Sequence, residues 1–270
     1  MPRSADLEDS SFGELVAGLK IQFRCLYALL IREMMMRYGR DNLGFLWMIL
    51  EPMLLCVGVM ITWSMLRSSK EHGITLLVLI LTGYMPLTMW RHLTSYSIIP
   101  FKRSMGVLYH RHISLLDVFL SRMFLEFLGS TTAFVIVAGT LIVTGMIDPP
   151  HDVGLVIAGW CLMGLFGFGV ASVIAIVTER FELSERFVPV FQYLQLPVSG
   201  VFFLVDWLPS YAQDLIWYNP SVHCYEMIRG GYIGPSLTVY YAAWYPAVWG
   251  IALFMFGLYF IESMRDHLHG

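Results

Sequence analysis

Charge is what this sequence has least of. Only 14% of its 270 residues are Asp, Glu, Lys or Arg, against 57% apolar. A soluble domain carries about 25% charged and about 45–50% apolar residues, so a soluble enzyme is excluded: its surface would be starved of charge. Low polarity excludes disorder as well. Excess basic charge is also missing, since the net charge is −3, and no global field points to nucleic acid. Paired cysteines are lacking. Cys25, Cys56, Cys161 and Cys224 are far apart with no C-x-x-C among them, so they read as small apolar residues rather than a disulfide scaffold or zinc site. The polar, acidic first twenty residues lack the basic start and apolar core of a cleaved signal, which leaves membrane insertion to internal segments. Finally, no G-x-x-x-x-G-K-[ST], H-E-x-x-H or G-x-S-x-G occurs. No catalytic residue and no metal ligand set is therefore assigned, and any ATP-driven work must draw its ATPase from another chain.

What the chain does have is long uncharged runs. A bilayer core about 30 Å thick needs about 20 helical residues. Runs of that kind predict an all-α integral membrane protein with six transmembrane helices, at about 42–66, 73–92, 115–147, 153–178, 187–205 and 239–261. The organisation that follows is a cytoplasmic N-terminus over 1–41, a six-helix membrane domain over 42–262, and a tail over 263–270. Of the 17 Lys and Arg, all but Arg67, Lys70 and Arg229 fall in segments that this scheme puts on one side. The positive-inside rule makes that side the cytoplasm, with both termini there.

Four features outside this scheme hold candidate functional residues. Phe12, Leu15, Val16, Leu19, Phe23, Leu26, Tyr27, Leu30 and Met34 recur at helical spacing, which predicts an amphipathic helix lying in the cytoplasmic interface. The loop Pro100–His112, with Lys102, Arg103, His110, Arg111 and His112, either obeys the positive-inside rule or presents a docking element. Between Asp206 and Pro235, two short stretches rich in Trp and Tyr are separated by Asn219-Pro220, a turn signal. They predict two short external re-entrant helices before the last span. On the second, His223, Glu226 and Arg229 sit at i, i+3 and i+6 on one face. This constellation suits structural pairing at the external mouth, or acid–base work by the His/Glu pair.

Two irregularities lie within the spans. Glu51, an acid in the first span just before Pro52, either pairs with Arg37 or Arg40 at headgroup level or belongs to a pathway. Pro189 and Pro197 interrupt the fifth span, predicting a bent helix that either faces a cavity or is absorbed by packing.

The stretch R37-Y-G-R-D-N-L-G-F-L-W-M-I-L-E-P52 resembles the opening of the first span in membrane subunits of type 2 ABC exporters, closest to the capsular polysaccharide export branch (KpsM-like). N219-P-S-V-H-C-Y-E-M-I-R-G-G-Y-I-G234 resembles the segment before that family's last helix. The resemblance implies a permease homodimer above two copies of a separate ATP-binding subunit, which holds ATP and Mg, with no cofactor on this chain. It further implies a periplasmic adaptor and an outer-membrane channel, the bacterial inner membrane as location, and a lipid-linked, acidic polysaccharide as cargo. The Pro100–His112 loop then corresponds to a coupling helix, with Phe101, Lys102, Arg103, Tyr109 and Arg111 meeting the ATPase, and Arg180–Arg186 a lesser contact. Arg37, Arg40 and Glu51 would admit the substrate. Trp63, Tyr193 and Phe202 would line the channel, and His223, Glu226 and Arg229 would form a periplasmic gate. O-antigen, teichoic acid or another substrate on the same fold is the alternative. A membrane transferase acting on lipid-linked sugars would need a committed constellation, and only His223/Glu226 comes near one.

Overall fold

Inside a bilayer, backbone N–H and C=O groups must bond within their own segment, which leaves helices as the default for uncharged runs. The computed structural model describes residues 20, 22, 24–35, 43–66, 70–71, 74–101 and 114–268, and they are overwhelmingly helical. In chain order these are α1 (24–35), α2 (Leu43–Leu66), β1 (Lys70–Glu71), β2 (Ile74–Thr75), α3 (Leu76–Tyr96), α4 (Leu115–Val143), α5 (Val153–Arg180), α6 (Phe187–Gln195), α7 (Ser210–Ile216), α8 (Pro220–Ile233) and α9 (Trp244–Leu268). Five helices among the described residues are long and apolar enough to cross a membrane: α2, α3, α4, α5 and α9.

Local chemistry sets their ends. Ser114 and Asp117 form a reciprocal capping box at the start of α4, with Asp117 N–H donating to Ser114 Oγ at 3.0 Å. That helix stops at Val143, short of the expected 147. Met146 N–H reaches back to Leu141 O and Gly145 N–H to Ile142 O, with Gly145 at φ +71°. This is a Schellman ending, which only a residue tolerant of positive φ closes cheaply. Asp152 caps α5 by accepting from Leu155 N–H at 3.0 Å.

The helix α3 lies at the centre. Leu81, Met85, Met89 and Leu93 are fully buried along it, packed by α2, α4, α5 and α8. Small residues let the α5–α9 pair approach closely. A methyl group on Gly169 would stand 2.7 Å from Gly250 O, and Ser172 Oγ lies 3.2 Å from Leu253 O. Such contacts stand in for a hydrophobic driving force that lipid does not provide. Gly231 plays the same part where α8 meets α5: an added methyl would sit 2.8 Å from both Asp152 O and Val156 N. By contrast, Leu54, Leu55, Ile61 and Met65 on α2 face outward.

Three boundaries differ from the sequence expectation. A two-residue hairpin, Lys70 opposite Thr75 and Glu71 opposite Ile74, precedes α3, so that helix begins at Leu76 rather than 73. It also continues beyond the expected end at 92 to Tyr96, with Arg91 and His92 in its last turns. The third difference is the largest. The segment 187–205 is not one bent helix. Pro189 fits the first turn of α6, but Pro197 has no N–H to offer and its ring crowds the carbonyl one turn earlier. The α-helix ends at Gln195, followed by a 3-10 turn over Leu196–Val198, a turn at Gly200 with φ +88°, and a second 3-10 turn over Val205–Trp207.

This broken segment nonetheless follows α3. Phe191 contacts Trp90 with ring centroids 5.9 Å apart, and Gln192 Nε2 donates to Thr94 Oγ1 at 2.7 Å. Gly83 leaves room for the Val201 carbonyl, and Leu204 packs with Leu79 and Ile74. From Thr94 back to Leu76 the axis of α3 covers about 27 Å at about 1.5 Å per residue.

Candidate functional site

Four groups of side chains interrupt the apolar interior. Arg37, Arg40, Lys102, Arg103, Tyr109 and Arg111, singled out from the sequence, lie outside the described residues.

The first group is external. Asn219 caps α8 by accepting from Ser221 N–H, and Pro220 takes the first helical position, where its missing N–H costs nothing. The sequence expectation for Glu226 and Arg229 is a mutual pair; in the structure each serves backbone instead. Arg229 is 0% exposed. Its Nη1 donates to Gly200 O at 2.6 Å and to Phe203 O, its Nη2 donates to Val201 O, and its guanidinium lies over Tyr225. Glu226 accepts from Val205 N–H at 3.2 Å and from Tyr240 N–H at 3.1 Å, and burial raises its pKa against those two bonds.

His223 Nδ1 accepts from Ala242 N–H at 3.1 Å, which fixes the proton on Nε2, where it donates to Trp217 O at 2.9 Å. Trp217 and Tyr245 flank the ring, and burial depresses its pKa. Both ring nitrogens are occupied by backbone, so His223 has no free nitrogen for proton transfer to a ligand. Together the three side chains tie the broken segment and the irregular stretch before α9 to one face of α8.

The second group contains the aromatic candidates. Trp63 and Phe202 stack at 5.7 Å between centroids, at the side of α2 that meets the Gly200 turn. Tyr193 stands apart from them. It is 61% exposed and lies under the Arg91 guanidinium at 5.3 Å.

The third group surrounds the start of the basic loop. Ile99 adopts φ +44°, an uncommon conformation for a β-branched residue. Ile99 N–H donates to Thr178 Oγ1 at 3.1 Å and Phe101 N–H to Glu179 Oε1 at 2.8 Å. Arg122 Nε donates to Glu33 Oε1 on α1 at 2.9 Å, and its Nη1 to Pro100 O at 3.5 Å. Helices α1, α4 and α5 are thus tied together at the root of the loop. The expectation that Phe101 meets a partner needs correction: its side chain is fully buried, so it anchors the loop from inside.

The fourth group is a cavity of about 200 Å³ between α2 and α3, lined by Glu51, Tyr84, Thr88, Arg91, His92 and Ser95 among others. Glu51 is the only one of these that sequence reading selected. Arg91 falls near the end of the predicted span 73–92, where the positive-inside rule accounts for a cation without assigning it a role. Its partner Tyr193 lies a hundred residues on, where local spacing gives no signal. Gln192 donates to Arg91 O, Thr94 Oγ1 and Ser95 Oγ, joining α6 to this end of α3. His92 Nδ1 lies 3.4 Å from Glu126 Oε2. Glu126 and Arg122, four apart within a predicted span, were the available hint that this end of the bundle is polar.

Fold and site together define a polytopic helical membrane protein whose few interior charges hold irregular backbone or line a cavity, without a catalytic constellation among the described residues. The chain belongs to the ABC-2 type transporter family, whose profile matches residues 24–233. It is 37% identical over 253 residues to the capsule polysaccharide export inner-membrane protein CtrC of Neisseria meningitidis serogroup A, covering 94% of each chain. It is 34% identical over 246 residues to the capsule polysaccharide export inner-membrane protein BexB of Haemophilus influenzae, covering 91% of this chain and 93% of the relative. The polysialic acid transport protein KpsM of Escherichia coli is more distant, 25% identical over 248 residues, with 88% and 95% covered.

Proposed function

We propose that this chain is the inner-membrane permease of an ATP-driven exporter that carries a lipid-linked capsular polysaccharide out of the cytoplasm. The observation that carries the reading is similarity to capsule export proteins over nearly the full length of both chains. ATP and Mg would be held by a separate subunit present in two copies, beneath two copies of the permease. A periplasmic adaptor and an outer-membrane channel would continue the route.

The structure supports a mechanism in three parts. The broken segment after α5 makes a sixth crossing, since it keeps company with α3 over about 27 Å, close to the apolar thickness of a bilayer. An even number of crossings leaves both termini on one side, and the positive-inside rule makes that side the cytoplasm, with α7 and α8 then on the periplasmic side, re-entering the external leaflet. Irregular backbone at such depth is tolerated only where protein or water satisfies it. Arg229 does this for three carbonyls, which suits a wall beside a path, with Trp63, Phe202 and Tyr193 offering ring faces to passing sugars. His223, Glu226 and Arg229 hold the periplasmic end of that wall in shape. At the cytoplasmic end, the basic loop takes the push of the ATPase. Its root is bonded to α5 through Thr178 and Glu179 and to α4 and α1 through Arg122, so displacement of the loop moves those helices together.

Arg37 and Arg40 would receive anionic groups of the substrate, because a guanidinium offers a planar fork for phosphate or carboxylate. Replacing both with Ala abolishes surface polysaccharide while the variant still copurifies with its ATPase. Normal surface polysaccharide in a strain lacking this gene overturns the exporter reading. Normal export in the double variant overturns only the role of the two arginines.

A further inference from the structure

A second cavity, of about 380 Å³, lies at the end of the bundle opposite the basic loop. Its walls are the start of α3, the loop between α4 and α5, and the end of α8. Two backbone bonds hold the loop to α8: His151 N–H donates to Tyr232 O at 3.3 Å and Asp152 N–H to Gly231 O at 2.8 Å. Ile233 packs against the cluster of Ile74, Leu79 and Leu204, which fixes the third wall. Five polar side chains line the space: Thr75, Asp148, His151, Tyr232 and Ser236. Elsewhere in the bundle hydroxyls bond back to their own helix, as those of Thr82, Thr88 and Thr94 do. Among the described residues, none of these five side chains makes a hydrogen bond or an ion pair. Tyr232 is the telling one. It is 6% exposed and its hydroxyl is buried without a partner, a state that folded proteins rarely leave unanswered. Asp148 is near enough to act on that hydroxyl electrostatically, yet accepts nothing from it. No Lys or Arg lines the cavity.

The cavity also stands at headgroup level. Thr75 immediately precedes the span of α3, and the loop joins the spans of α4 and α5. Apolar side chains face outward on both sides of that loop: Val143 and Met146 at 88% and 57% exposure, Val153 and Ile157 at 55% and 57%. These surfaces meet acyl chains, so a lipid lying against them carries its headgroup to the cavity. We propose that the cavity binds the headgroup of phosphatidylethanolamine from the leaflet on that side. The ammonium donates to the Asp148 carboxylate and to the Tyr232 hydroxyl oxygen, which it reaches from the Asp148 side. The hydroxyls of Thr75 and Ser236 donate to the phosphodiester. At about 30 Å³ per water the cavity has room for about a dozen waters, ample for one headgroup. Phosphatidylglycerol brings net negative charge to a wall that holds a carboxylate and no cation. Phosphatidylcholine keeps the positive charge, but its quaternary nitrogen has no N–H to donate. The bound lipid joins α3, the α4–α5 loop and α8 through side chains that share no bond of their own. It belongs to the surrounding bilayer and not to the exported polymer, so the site does not depend on the export reading.

Removing the N–H donors one at a time tests the site without altering the protein. Phosphatidylethanolamine, its N-methyl and N,N-dimethyl forms, phosphatidylcholine and phosphatidylglycerol, all with the same acyl chains, are titrated onto the full-length permease in detergent. Bound lipid is counted by native mass spectrometry. The wild type binds one phosphatidylethanolamine about 10-fold more tightly than phosphatidylcholine or phosphatidylglycerol, the scale of one charge-assisted hydrogen-bond set. Affinity falls along the methyl series. D148N brings phosphatidylethanolamine to the level of phosphatidylcholine, and Y232F weakens it by a smaller factor. D214N, which alters an exposed acid on α7 outside the cavity, changes nothing. A flat methyl series, phosphatidylglycerol matching phosphatidylethanolamine, or undiminished binding in D148N overturns the proposal. An acetylated tetralysine amide is the competing arm. If it displaces phosphatidylethanolamine from the wild type and fails to bind D148N, the cavity takes a basic segment of a protein partner and the lipid site is refuted.

Discussion

Arg229 gives the sharpest test of how this fold holds an unwound segment at membrane depth. Replacing it with Met keeps an unbranched side chain of comparable length and removes every donor. Three buried carbonyls, those of Gly200, Val201 and Phe203, then lose their partner. Hydrogen bonds to a charged group are worth about 1.5–3 kcal/mol each. Against that loss stands the relief of no longer burying a guanidinium, which costs several kcal/mol. Gly83 closes off an easy repair, because its lack of a side chain is what lets the Val201 carbonyl sit there, and a methyl group on it would meet Arg229 Nη2 at 3.0 Å. Water cannot readily replace the guanidinium against that surface. The net cost of breaking such an arrangement is about 3–5 kcal/mol, and at about 2–4 °C per kcal/mol for a protein of this size the midpoint falls by about 6–20 °C. Thermal unfolding in detergent, followed by size exclusion of a fluorescent fusion, reads the shift directly. R229K, with three donors but no fork, falls between wild type and R229M. An R229M midpoint within about 2 °C of wild type refutes the claim that this side chain staples the Gly200 turn.

Two further outcomes follow from the geometry. Substituting Val for Gly169 drives a side chain toward Gly250 O, 2.7 Å from where even its Cβ would stand. The α5–α9 pair separates, at a cost of about 1–3 kcal/mol or more, and yield of monodisperse protein drops; G139V, whose Cβ meets nothing within 4 Å, leaves it unchanged, and equal yields would refute the packing argument. His223 makes stability pH-dependent in a defined direction. Its folded pKa lies below the ordinary 6.5 because burial disfavours the cation, so the unfolded chain binds the proton more readily. Its contribution is complete above about pH 6.5 and is lost as pH falls from there toward the folded pKa. The midpoint of wild type therefore declines as pH falls below about 6.5 more steeply than that of H223Q, and parallel profiles would refute the assignment.

Which parts of this architecture a sequence displays follows from how local their causes are. The spans at 42–66 and 153–178 are legible because hydropathy and caps such as Asp152 are local, and α2 and α5 fall within a few residues of them. The end of α4 was missed by four residues because Thr144–Ile147 is as apolar as what precedes it. Gly145 does the terminating, through a backbone conformation that hydropathy does not weigh. The fifth predicted span fails for a related reason. Two prolines eight residues apart signal a bend, but whether the chain bends or unwinds depends on who satisfies the freed carbonyls. Here that partner is Arg229, almost thirty residues further on.

The external triad shows the same limit from the other side. Its spacing on one face of α8 is plain in the sequence. Its partners are backbone groups at Gly200, Val201, Phe203, Val205, Trp217, Tyr240 and Ala242, which carry no residue-type signal at all. An i, i+3 rule therefore proposes a Glu226–Arg229 pair, where the fold spends both charges on main chain. Arg91 completes the argument. It stands at the end of a predicted span, where the positive-inside rule explains it away. A helix that continues one turn beyond its apolar core turns the same residue into the wall of a cavity, opposite the one acid in the neighbouring span. Scarcity of charge is legible from composition, but what each remaining charge faces is decided by contacts made across the bundle.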